Sequence, residues 1–111
     1  ATLSRAICAS LLRAEIGFEG VLFSDDLEMA AIAARYSVEE AAVESVWAGC
    51  DALLICRNED LQDRAHEALV KRCEQDKRFR DRCAEALQLL TRPIVRRDGL
   101  HRTPYLDILW C

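Results

Sequence analysis

Apolar residues recur along this chain in two patterns, which predict alternating helices and strands. Between Leu3 and Ile16 they return every three or four residues, the spacing of one helix face. Two unbroken apolar runs, residues 21–23 and 52–56, have the length and composition of strands buried on both faces. The same helical spacing predicts further helices over residues 27–35, 38–48, 59–74 and 76–90.

Local signals mark where these helices begin and end. Ser37, followed three residues later by Glu40, has the form of a capping box, and Asn58 precedes the next helical stretch. Gly17 and Gly49 stand where helix ends favour a residue that tolerates positive φ. Pro93 stops the last helix, and Asp98-Gly99 marks a turn in the tail.

The element order indicates an α/β fold built from βα units around a parallel sheet. Two strands covered on both faces do not make a self-sufficient sheet, because both outer edges stay unpaired. The sequence therefore reads as a piece of a larger domain. The chain has 111 residues, begins with Ala, and has its single methionine at Met29.

Two carboxylates, Asp25 and Asp26, follow the first apolar run after a single serine, Ser24. In parallel α/β proteins the carboxyl ends of the strands border the crevice where ligands bind. These residues are therefore site candidates. The simpler alternative is that one of them only caps the next helix, since Asp is a favoured N-cap.

Composition narrows the classes of function. The net charge is −4, with −6 on residues 1–56 and +3 on residues 57–103. The basic half alternates in sign and has few aromatics, as solvated helices do, so we expect no nucleic-acid partner. No segment is apolar enough to span a membrane and no export leader opens the chain, so we expect no membrane partner.

The six cysteines contain no Cys-x-x-Cys pair, and neither His66 nor His101 has a recognisable metal-ligand spacing. We therefore expect buried thiols in the cytoplasm and no metal.

Three segments resemble the family 3 glycoside hydrolases, of the bacterial β-N-acetylhexosaminidase type. The first is Ala-Thr-Leu-Ser at residues 1–4, with Leu-Leu-Arg at 11–13 and Gly-Phe at 17–18. The second is Gly-Val-Leu-Phe-Ser-Asp-Asp-Leu at 20–27, with Met29, and it is the most specific. The third is Ala-Gly-Cys-Asp-Ala-Leu-Leu-Ile-Cys at 48–56. The back half matches only in its helical character.

The resemblance implies a partial (β/α)8 TIM barrel, of which this chain would be the last two βα units, strands seven and eight. Residues 1–92 would belong to the catalytic domain and residues 93–111 would form a C-terminal tail. Asp25 would be the catalytic nucleophile, and Asp26 would cap or orient the following loop. The parent enzyme would remove terminal N-acetylglucosamine, in peptidoglycan recycling, without a metal or organic cofactor.

The histidine that serves as acid/base in this branch lies upstream of the matched segments and is absent here. His66 fits a helix flank, His101 lies in the tail, and nothing directs Glu28 towards a sugar. We therefore expect the 111-residue chain alone to be inactive. The alternative is a non-catalytic barrel remnant that serves as an interaction module and self-associates through its exposed strand edges.

Overall fold

The computed structural model describes residues 2–92, 94–95 and 101–102. Over these residues a π-helix is followed by four α-helices and four strands, which confirms a mixed α/β chain. In chain order they are the π-helix (Ala6–Glu15), β1 (Phe23–Asp26), α1 (Ala30–Ala33), α2 (Val38–Ala48), β2 (Ala52–Leu54), α3 (Glu59–Gln75), α4 (Lys77–Leu90), β3 (Ile94–Val95) and β4 (His101–Arg102).

β1 and β2 form a two-stranded parallel sheet, as the two apolar runs predict. The prediction was wrong about where β1 lies, because the strand begins at Phe23 and contains both carboxylates. The cause is the extent of the pairing with β2: it reaches Asp26, and the Leu27 N–H then donates to the Leu54 carbonyl at 2.9 Å. The carboxylates therefore sit on a strand rather than in the loop after it.

β3 and β4 form a short antiparallel pair that the sequence did not predict. The turn predicted at Asp98-Gly99 lies outside the described residues.

The helices that follow the strands bury a core of small residues against one face of the sheet. A first cluster joins the end of β1, α2 and α3, and comprises Leu27, Val38, Ala41, Ala42 and Ala65. A second cluster comprises Cys8, Ala48 and Cys50. Leu53 of β2 packs against both, so this strand links the two parts of the core.

Capping fixes the helix starts as predicted. The Glu40 N–H donates to Ser37 Oγ at 3.2 Å, and the Ser37 N–H donates to Glu40 Oε2 at 3.1 Å, so both halves of the capping box form. Asn58 Oδ1 accepts the Asp60 N–H at 3.0 Å at the start of α3, and Asp76 caps α4. These bonds use backbone donors that a helix leaves without internal partners.

Gly49 ends α2 with a backbone φ of +126°, a conformation that residues other than glycine rarely adopt. A Cβ at this position would lie 3.2 Å from the Cys8 Cβ of the π-helix. The absence of a side chain therefore allows α2 to end against the first helix.

The first helix differs from the prediction in its hydrogen bonding. It runs over Ala6–Glu15 as a π-helix, and the Ile16 N–H donates to the Leu11 carbonyl five residues back. One such turn places residues five apart on one face. Cys8 and Arg13 accordingly both face the segment between α2 and β2, whereas the predicted stripe residues Ile7, Leu11 and Ile16 are exposed.

α4 is held against α2 by an aromatic contact. Phe79 of α4 is fully buried, and its ring lies edge-on to that of Trp47 with centroids 5.3 Å apart. Such edge-to-face pairs are favourable beyond their buried area.

No helix in the described part of the chain is long and apolar enough to cross a membrane.

Candidate functional site

The two faces of the strand pair differ in exposure. Side chains alternate along a strand, so Phe23 lies on the opposite face from Ser24. Ser24 is 3% exposed, whereas Phe23 is 43% exposed. The Phe23 ring thus lies on the open face of the sheet, and the Asp25 side chain two residues on is also exposed.

A bulge in β1 separates Ser24 from its neighbour Asp25. The register with β2 shifts between Phe23 and Asp26, and at this point the Leu54 N–H donates to Ser24 Oγ at 2.9 Å instead of to a backbone carbonyl. The Ser24 hydroxyl in turn donates to the Asp25 carbonyl at 2.7 Å. Bulges re-aim the side chains beside them, and this one lies next to the candidate nucleophile.

Asp25 is exposed near the carboxyl end of β1, with its backbone held on both sides. Its N–H donates to Thr2 Oγ1 at 2.9 Å, and its Oδ1 accepts the Asp26 N–H at 3.0 Å. Within the described residues Oδ2 accepts no hydrogen bond. Neither this carboxylate nor its neighbour caps α1, which begins after Met29 without a side-chain cap. One carboxylate oxygen is therefore held, and the other is left without a hydrogen bond in the described part of the chain.

Asp26 and Glu28 order the turn that follows β1. Asp26 Oδ1 accepts the Glu28 N–H at 3.0 Å. Glu28 does not point along its own loop but reaches the next one, where its Oε2 accepts the Arg57 N–H at 2.7 Å. The pattern of single residues gave no signal for this contact, because its partners lie 29 residues apart.

A second carboxylate, Asp51, lies just before β2 and is completely buried. Oδ2 accepts from Arg13 of the π-helix and from the Leu22 N–H, the latter at 2.9 Å. Oδ1 accepts from Arg82 of α4 at 2.7 Å, and the same guanidinium binds the Cys50 carbonyl at 2.9 Å. We call this set of contacts the Asp51 clamp.

The Asp51 clamp joins the π-helix, the approach to β1, the start of β2 and α4 at one carboxylate. The role of Asp51 was not predicted from the sequence. The available signal was an acidic residue heading an otherwise apolar strand, a position that a charge occupies only when it is paired.

The remaining candidates contribute no site residues. His66 lies exposed on α3, as expected for a helix flank, and His101 lies in β4. Among the described residues no three potential ligands come together to hold a metal.

The thiols follow the prediction in part. Cys8 and Cys50 are buried and Cys56 is exposed, while the sulfurs of Cys73 and Cys83 lie 3.5 Å apart between α3 and α4. Burial, reinforced by the neighbouring Cys8, raises the pKa of Cys50 to about 12.

Comparison with known proteins decides the family. The model of the glycosyl hydrolase family 3 N terminal domain matches residues 1–89. The chain belongs to glycosyl hydrolase family 3. The match is to the N-terminal domain of that family, so the prediction that the chain is the last part of a barrel stays a prediction.

Family 3 relatives with curated names are beta-hexosaminidases. That of Neisseria gonorrhoeae is 41% identical over 66 residues, 60% of this chain and 18% of the relative. That of Nitrosospira multiformis is 50% identical over 48 residues, 43% of this chain and 14% of the relative. The chain thus spans about a fifth or less of these proteins.

Solved family 3 structures share the fold. The beta-N-acetylglucosaminidase from Thermotoga maritima is 34% identical with a TM-score of 0.74, over 80% of this chain and 20% of that one. A family 3 beta-N-acetylglucosaminidase from a Paenibacillus species is 38% identical with a TM-score of 0.70, over 79% and 18%.

Proposed function

We propose that this chain is the segment of a retaining β-N-acetylhexosaminidase that carries its nucleophile, and that Asp25 is this nucleophile. The observation that carries the proposal is the placement of Asp25: exposed near a strand's carboxyl end, with Oδ1 held by the Asp26 N–H and Oδ2 without a hydrogen bond among the described residues. The names of the family 3 relatives supply the sugar, an N-acetylglucosaminide.

A retaining glycosidase needs an ionised carboxylate that attacks the anomeric carbon and forms a covalent glycosyl-enzyme. A hydrogen bond from the Asp26 N–H to Oδ1 restricts the orientation of this carboxylate. The bonds to Thr2 and Ser24 hold the backbone from which the carboxylate projects, which near-attack geometry requires.

The strand pair supports the proposal that the chain is the last two βα units of a (β/α)8 barrel. Helices cover one face, and the opposite face carries the exposed Phe23. In a barrel the second face would point to the interior, which packed side chains fill. On this proposal residues 1–92 complete the catalytic domain and residues 93–111 are a tail.

The proposal also says what the 111-residue chain lacks. The acid/base that protonates the leaving oxygen would come from the rest of the parent enzyme, so the chain alone is expected not to turn over. We further propose a cytoplasmic parent that acts on cell-wall saccharides without a cofactor, on the strength of the resemblance.

The test is to trap the glycosyl-enzyme on the full-length enzyme with a ring-fluorinated N-acetylglucosaminyl fluoride. The anomeric fluoride is a good leaving group, and the ring fluorine slows hydrolysis of the glycosyl-enzyme. Tryptic mapping should then find the sugar on the peptide of residues 14–35, with fragmentation locating it at Asp25. A label on any other carboxylate would overturn the assignment. The unlabelled enzyme, treated identically without the reagent, is the control.

The open face also favours a second candidate, an interaction module that self-associates. An exposed Phe23, beside strand edges that pair with no further strand in the described part of the chain, is a surface that another copy could cover. Sedimentation of the 111-residue chain separates the two: a monomer that folds cooperatively would exclude the module, and a dimer that Phe23→Ser dissociates would favour it.

A further inference from the structure

We propose that Glu28 is a positioning residue that ties the loop after β1 to the loop after β2 and thereby holds the backbone beside Asp25. We call the hydrogen bond from the Arg57 N–H to Glu28 Oε2, at 2.7 Å, the Glu28 latch. The proposal rests on the proposed function, because it assigns Glu28 a role in the geometry of that same nucleophile.

The latch is the last of three hydrogen bonds that run in series from the nucleophile. Asp25 Oδ1 accepts the Asp26 N–H, Asp26 Oδ1 accepts the Glu28 N–H, and Glu28 Oε2 accepts the Arg57 N–H, at 3.0, 3.0 and 2.7 Å. In each bond a carboxylate receives a backbone donor, a charge-assisted contact stronger than one between neutral groups. The orientation of Asp25 is thus connected to a second loop.

That second loop is attached to a rigid element. Arg57 immediately precedes Asn58, whose side chain caps the seventeen-residue helix α3. At the other end, Leu27 is 3% exposed and its N–H binds Leu54 of β2. The turn at residues 26–29 is therefore bonded to β2 through Leu27, and through Glu28 to the residue that precedes the cap of α3.

The bond, rather than the charge, is the part that positions. Among the described residues the Glu28 carboxylate forms no ion pair, and the hydrogen bond that it accepts comes from a backbone N–H. A glutamine can accept the same N–H through its amide oxygen, whereas an alanine cannot. Because Glu28 acts through the backbone, its loss should lower kcat by misplacing the nucleophile and leave substrate binding nearly unchanged.

The experiment compares Glu28→Ala and Glu28→Gln in the full-length enzyme, with Glu44→Ala, an exposed glutamate of α2, as the matched control. We expect Glu28→Ala to lower kcat on the order of tenfold with KM changed by less than about twofold. Glu28→Gln should restore most of kcat, and Glu44→Ala should match wild type. Thermal unfolding of each variant separates a loss of position from a loss of fold.

Two outcomes would overturn the latch. If Glu28→Gln loses as much kcat as Glu28→Ala, the charge acts and not the hydrogen bond. If Glu28→Ala keeps the wild-type kcat, the contact positions nothing.

A wild-type enzyme without glycosidase activity would instead refute the proposed function, and hydrogen exchange then tests the latch by itself. In the full-length protein the Arg57 amide should be protected in wild type and in Glu28→Gln, and should lose protection in Glu28→Ala. Unchanged exchange in Glu28→Ala would refute the latch independently of any activity.

Discussion

Two carboxylates associated with β1 and β2 have opposite surroundings. Asp51, before β2, is completely buried and receives two guanidinium groups and the Leu22 N–H. Asp25, near the end of β1, is exposed, and its carboxylate receives the single N–H of Asp26. The same functional group is committed to structure at one end of the sheet and left open at the other.

The two carboxylates differ in the number of hydrogen-bond donors that the chain directs at them. A buried carboxylate is tolerated only when its charge is paired and its lone pairs are bonded, and the Asp51 clamp provides both. A nucleophile needs the reverse, one oxygen that a substrate can reach. In barrel enzymes stability resides at the amino-terminal face and chemistry at the carboxyl-terminal face, and on the proposed barrel the two carboxylates would follow that division.

The largest expected effect tests the open carboxylate. Asp25→Asn in the full-length enzyme should lower kcat by at least about a thousandfold, because an amide cannot attack the anomeric carbon. The free energy of unfolding should change by less than about 0.5 kcal/mol, as for other exposed sites. Steady-state kinetics and urea unfolding measure the two. Undiminished kcat would show that Asp25 is not the nucleophile.

The converse substitution tests the buried carboxylate. Asp51→Asn should destabilise the chain by about 3 kcal/mol, because it removes the charge that the largely buried guanidinium groups of Arg13 and Arg82 share and leaves Arg82 with only Glu85, at 3.9 Å. Urea unfolding provides the measurement, with Asp25→Asn as the matched carboxylate-to-amide control. Equal midpoints for the two variants would remove the distinction drawn between them.

Substitution of Ser24 should affect both the stability of the chain and the kcat of the enzyme. Ser24→Ala removes the acceptor of the buried Leu54 N–H and the bond to the Asp25 carbonyl, which should cost about 1–3 kcal/mol of stability. Because the bulge also directs Asp25, kcat should fall as well. Ser10→Ala, on the exposed surface of the π-helix, is the control for removing a hydroxyl. A stability loss without any change in kcat would separate the bulge from the chemistry.

The smallest expected effect is a pH dependence at the buried end. The pKa of Cys50 is raised from 9.0 to about 12 by burial, so above pH 9 the unfolded chain releases this proton while the folded chain retains it. The buried thiol therefore contributes fully to stability below pH 9, and this contribution is lost as the pH rises from 9 towards 12. The urea midpoint should be lower above pH 9 than below it.

Cys50→Ser should flatten this alkaline slope, because it removes the thiol whose pKa differs between the two states. Cys83, whose pKa burial also raises to about 12, should leave a residual slope in that variant. A slope that Cys50→Ser leaves unchanged would assign the effect to other groups.

The features predicted from sequence are those whose signals are local. The capping box at Ser37 and Glu40, the cap at Asn58 and the helix end at Gly49 each depend on residues within a few positions. The sequence also predicted that Asp25 lies near a strand end, because the apolar run of residues 21–23 stops two positions before it.

The features that were missed depend on distant partners. Asp51 meets Arg13 and Arg82 across 38 and 31 residues, and nothing in the spacing of charges identifies such pairs. The bulge in β1 depends on the register with β2, and the π-turns of the first helix depend on where Cys8 and Arg13 find contacts. Tertiary packing decided each of these against the local pattern.

Trp47 gives the chain an optical signal of its own. Its ring lies against Phe79 of α4, the helix that also carries Arg82 of the Asp51 clamp. Separation of α4 from α2 would move the indole into water and shift its emission to longer wavelength. With Trp110→Phe removing the second tryptophan, stopped-flow fluorescence would follow, in real time, when the buried carboxylate acquires its Arg82 partner during folding.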